Sequence, residues 1–70
     1  MKRIENYDGS VTYRIEGRGI RVQETISESM LKTLKSMPRL SYQKETWYED
    51  KIFMRLLLEW NDLLQNTNNR

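Results

Sequence analysis

Seventy residues carry 12 Lys/Arg against 10 Asp/Glu, a net charge of +2 with no cysteine and no histidine. Those two absences exclude disulfide staples, Cys/His zinc sites, thiol nucleophiles and Ser-His-Asp triads. One small domain is expected, with no metal, no cofactor and a core small enough that a partner commonly supplements it.

The longest apolar runs are the three-residue stretches "IFM" and "LLL", far short of the roughly 20 residues that span a bilayer. The opening "MKRIENYDGS" has no apolar run behind its basic residues, so no signal peptide is expected. A soluble, cytoplasmic protein without a membrane partner follows, and the lack of cysteine fits a reducing compartment. The basic character lies at the front. Residues 1–44 hold nine Lys/Arg against five Asp/Glu, and residues 45–70 hold three against five.

In chain order, Arg3 to Tyr7 reads as a first strand and Asp8-Gly9 as a turn that accepts positive φ. Val11, Tyr13 and Ile15 alternate with Thr12, Arg14 and Glu16, the period-two pattern of a half-buried strand. Gly17-Arg18 or Arg18-Gly19 supplies a second turn, after which Ile20 and Val22 share a face. Two-residue turns at Asp8-Gly9 and Gly17-Arg18 pair Arg3 with Arg14 and Arg14 with Arg21. That register aligns Ile4, Tyr13 and Val22 on one face, beside Ile15 and Ile20, and an arginine row on the other. "GRG" lacks the longer glycine pattern and the strand-to-helix setting of a phosphate loop.

Thr25 to Glu28 reads as a capping box, and Ile26, Met30, Leu31, Leu34 and Met37 follow at helical spacing until Pro38 ends the helix. After a connection, Thr46 to Glu49 forms a second capping box, opening a longer helix from Trp47 to about Gln65. The domain thus spans residues 1–65, with 66–70 as a frayed polar tail. The fold class is α+β: a three-stranded antiparallel β-meander followed by two α-helices packed on one face (β-β-β-α-α).

On a wheel of about 100° per residue, Leu56, Leu57, Trp60, Leu63 and Leu64 lie within about 80° of Phe53, with Ile52 at the margin. Trp47, Met54 and Leu58 fall outside that sector, between about +100° and +140°. Either the sheet and the first helix contact two sides of this helix, or Trp47, Met54 and Leu58 form a second seam for a partner or a second copy.

Two functional readings follow, neither enzymatic. In one, Arg3, Arg14, Arg18, Arg21 and Gln23 contact nucleic acid, as arginines on a small sheet laid in a groove can. Arg39, Tyr42 and Lys44 would extend that surface. In the other, the chain is a protein-binding module: a homodimer, or a small inhibitor or adaptor of a larger protein, docking through Trp47, Met54 and Leu58. Glu45, Glu49 and Asp50 are explained by the dipole at the start of the second helix. Glu5, Glu16 and Glu24 are placed to pair with arginines.

Overall fold

The computed structural model describes residues 1–38, 40 and 46–68. Three strands, β1 (Lys2–Glu5), β2 (Val11–Gly17) and β3 (Ile20–Ile26), precede two helices, α1 (Glu28–Ser36) and α2 (Trp47–Asn68). The strands form one antiparallel sheet in the order β1-β2-β3. This is the α+β, β-β-β-α-α architecture that the sequence patterns predict.

Both hairpins differ from the expected register, the first by one residue and the second by two, and the turns give the reason. In the first, the Asn6 amide donates to the Ser10 carbonyl at 2.9 Å and the Gly9 amide to the Asn6 carbonyl at 3.1 Å. Tyr7, Asp8 and Gly9 therefore form a three-residue loop, a tight turn closed by a left-handed residue. Only Gly9 in this loop adopts positive φ, at 89°. Asp8 instead accepts from the Ser10 amide at 3.0 Å and the Ser10 hydroxyl at 2.6 Å, a local bond that favours the longer loop over a two-residue turn. Arg3 consequently lies opposite Tyr13, and Ile4 opposite Thr12.

In the second hairpin the turn is Arg18-Gly19, with φ of 52° and 77°. Two successive left-handed residues define the turn whose twist matches a hairpin, and glycine is favoured at the second of them. Gly17 pairs with Ile20, so Glu16 lies opposite Arg21 and Arg14 opposite Gln23. The expected Arg14–Arg21 pairing does not form.

Val11, Tyr13 and Ile15 of β2 and Val22 and Ile26 of β3 are buried together with Leu31 of α1 and Tyr48, Ile52 and Leu56 of α2. Phe53 packs edge-on against Tyr13, ring centroids 5.3 Å apart. The buried edge of α2 is thus rotated from the Phe53-centred stripe toward Tyr48 and Ile52. Ile4 leaves the predicted core face because the register places it beside Thr12.

Leu57 and Leu63 are each 41% exposed. A helix of 22 residues is about 33 Å long. A strand of seven residues is only about 23 Å. The Trp60 indole already donates to the Gly17 carbonyl at 3.1 Å, at the hairpin end of the sheet. The next turn of α2 therefore projects past it.

The helix starts are also adjusted. Ser27, not Thr25, caps α1, its hydroxyl accepting from the Met30 amide at 3.2 Å. Thr25 stays in β3, its hydroxyl 2.8 Å from that of Thr12, and Ile26 is a strand residue. Helix α1 ends at Ser36, just ahead of Pro38, as proline requires. Before α2, the Thr46 carbonyl accepts from the Glu49 amide at 2.9 Å. Helix α2 continues to Asn68, past the Gln65 end predicted for it. The expected roles of Arg39, Tyr42, Lys44 and Glu45 lie outside the described residues.

Arg18 is the only non-glycine residue at positive φ among those described. Side chains with a Cβ resist that conformation by about 1 kcal/mol, whereas asparagine tolerates it. Arg18→Asn is therefore expected to raise stability by about 0.5–1 kcal/mol, read as a higher urea midpoint at unchanged slope.

Candidate functional site

Residues paired across neighbouring strands project to the same face. The helix-bearing face therefore carries Arg3, Tyr13 and Glu24, and the outer face carries Lys2, Arg14 and Gln23. This separates the sequence-predicted arginines. Arg3 lies on the helix side, its guanidinium donating to Glu5 at 2.7 Å and to Glu49 at 2.9 Å. It does not belong to a row with Arg14 and Arg21.

The Glu49 carboxylate is also the acceptor for the Tyr13 hydroxyl, at 2.6 Å. Tyr13 is completely buried. Burial, then the adjacent Glu49 carboxylate, holds its hydroxyl protonated well above the usual range for tyrosine. Arg3 is in turn held firmly protonated, by Glu5 first and then Glu49. This cluster joins β1, β2 and α2. The sequence carried one sign of it: a tyrosine at a core strand position needs a partner for its hydroxyl. Reading Glu49 only as a capping residue hid that partner.

On the outer face, Arg21 pairs with Glu16 at 2.6 Å, and the Arg14 guanidinium donates to the Gln23 side-chain oxygen at 3.0 Å. Arg21 beside it, with Arg14 and Lys2 farther off, holds the Glu16 carboxyl below the usual range. Arg18 is exposed at the adjoining turn. Lys2, Arg14, Arg18 and Arg21 thus gather at one end of this face around a single carboxylate. At the other end the adjoining turn supplies the Asp8 carboxylate, which accepts from the Ser10 hydroxyl. Asn6 donates to the hydroxyls of Ser10 and Thr12, at 3.0 and 3.1 Å, and Thr12 meets Thr25. The pairing expected of the strand carboxylates is present: Glu5 with Arg3, Glu16 with Arg21, and Glu24 with Arg55.

The second seam is divided. Met54 and Leu58 are 61% and 60% exposed and share a shallow patch with Asp50, Lys51 and Arg55. Trp47 lies apart from them, half-buried against the core and edge-on to Tyr48. It lines a groove of about 380 Å³ between α1 and α2, with Met30, Leu34, Met37 and Ile52. The Lys51 ammonium, 5.1 Å from the Trp47 ring centroid, stands between groove and patch. Among the described residues, no group of three or more His, Cys, Asp or Glu side chains could hold a metal ion, and no helix is long and apolar enough to cross a membrane.

The Tyr13 hydroxyl gives stability a pH dependence of definite sign. Its pKa in the folded state lies above the ordinary value, near 10. Its contribution is therefore complete below about pH 10 and lost as pH rises through the folded value. Urea unfolding between about pH 8 and pH 11 is expected to show a falling stability that is less steep in Tyr13→Phe. The variant should also be about 1 kcal/mol weaker near neutral pH. Equal alkaline slopes would exclude a protonated Tyr13 held by Glu49. Among known proteins, no family model matches this chain, and no curated protein or solved structure matches it.

Proposed function

We propose that this chain is a non-enzymatic protein-binding module that docks through the flank of α2 centred on Met54 and Leu58. One observation carries the reading: two large apolar side chains, about three-fifths exposed, stand on a helix whose other side already fills the core with Tyr48, Ile52 and Leu56. Covering the exposed three-fifths of such a side chain contributes about 1–2 kcal/mol, and the charged rim of Asp50, Lys51 and Arg55 is the usual setting of an interface. The lack of cysteine supports a cytoplasmic setting.

A second reading, nucleic-acid contact, is favoured by the gathering of Lys2, Arg14, Arg18 and Arg21 around Glu16. It does not use Arg3, which Glu5 and Glu49 hold on the opposite face, and Arg21 enters it already paired.

A photo-cross-linking residue at position 54 or 58 of the full chain, irradiated in extract of its own cells, is expected to give a discrete protein adduct. The same residue at position 59 serves as the control. No adduct, or equal adducts at all three positions, would overturn the docking surface. For the second reading, duplex binding should weaken steeply with salt and be lost in Arg14→Glu plus Arg21→Glu. Absence of binding at low salt excludes it.

A further inference from the structure

The geometry points to a second copy of this chain as the occupant of the α2 flank, helix against antiparallel helix about a two-fold axis between Met54 and Leu58. This inference rests on the reading of that flank as a docking surface and adds the partner and the register.

Trp47, Lys51, Met54, Leu58, Asn61 and Gln65 succeed one another at intervals of four, three, four, three and four. That is the seam spacing of a helix pair. From Lys51 onward the seam lies on the side of α2 turned from the core and is exposed, while Trp47, at its start, is half-buried against the core. Setting Met54 opposite the partner's Leu58 in antiparallel sense brings Lys51 opposite the partner's Asn61 and beside the partner's Asp62. Asp62 lies only about 20° around the helix from Lys51, so both project toward the same side of the seam.

The two-fold axis repeats every contact. The centre then holds Met54, Leu57 and Leu58 from each copy, side chains that are 41–61% exposed in one chain alone. Each end holds one cation facing one anion. Lys51 is already held on this side by the Trp47 ring, 5.1 Å from its ammonium. A parallel pairing would instead oppose Lys51 to its own copy and Asp62 to its own copy, and it would align the two helix dipoles. Arg55, on the same side near the axis, meets its own copy in either direction with its charge balanced by Glu24 of its own chain; only the antiparallel direction pairs Lys51 with Asp62. An interface of one helix flank is small, below about 1,200 Å² in total, so association is weak and reversible.

The test is sedimentation equilibrium of the purified full chain from micromolar to millimolar concentration. The expected result is a concentration-dependent rise to twice the chain mass. Asp62→Lys and Lys51→Asp alone should each weaken association about tenfold, because each creates two like-charge contacts. The double variant Lys51→Asp with Asp62→Lys should restore it, the signature of direct coupling. All three are exposed-surface changes, and circular dichroism checks that the fold is kept. A dimer indifferent to the single charge changes overturns the register. A chain that stays monomeric throughout overturns the second copy. A position-54 adduct of some other mass would then leave the docking surface standing with a different protein on it.

Discussion

The position of α2 depends on one buried contact, the Tyr13 hydroxyl on the Glu49 carboxylate at 2.6 Å. A hydroxyl enclosed without a partner costs about 1–3 kcal/mol, so the helix must deliver an acceptor where β2 buries its central tyrosine. Arg3 then balances the charge of that acceptor from β1. Once Glu49 points to the sheet, Tyr48, Ile52 and Leu56 follow it into the core by helical geometry, with Phe53 and Trp60 at the border. Met54 and Leu58 are carried to the opposite side. The exposed flank is therefore the other consequence of satisfying Tyr13.

The hairpin turns exert a comparable control over charge. Asp8 holds Ser10 in a local bond and leaves the left-handed conformation to Gly9 alone, giving a three-residue loop. Arg18 and Gly19 together take the two left-handed positions of the next turn. The first choice shifts β1 against β2 by one residue and the second shifts β3 against β2 by two, relative to the register first expected; both change every cross-strand partner, and only the odd shift also changes the face. Arg3 passes to the helix side and gains carboxylate partners, while Arg14 and Arg21 stay on the outer face, diagonal to each other. An arginine row becomes a cluster around Glu16 with fewer uncommitted cations.

The result is a domain with two different surfaces. The outer sheet face is polar, partly internally paired, and basic at one end. The flank of α2 is apolar at its centre, charged at its rim, and continuous through Lys51 with a groove toward α1. A chain this small cannot bury a helix that is apolar on more than one side. The excess exposure falls on α2, and the proposed protein association rests on it.

The alternation of β2, the glycines, the apolar spacing of both helices and Pro38 were enough to determine element order and the α+β class, because those signals act within a few residues. They also placed Val11, Tyr13 and Ile15 on one face, and Met54 and Leu58 off the main helical stripe. The rotation of α2 was decided only by tertiary structure, and the register, with the side taken by Arg3, by which of the competing turns closes each hairpin. "KRIE" alternates equally well in either register, and Glu49 serves a helix start as readily as it serves a buried tyrosine. Turn chemistry selects the register, and the requirement that one enclosed hydroxyl find one carboxylate, which no local signal carries, sets the rotation of α2.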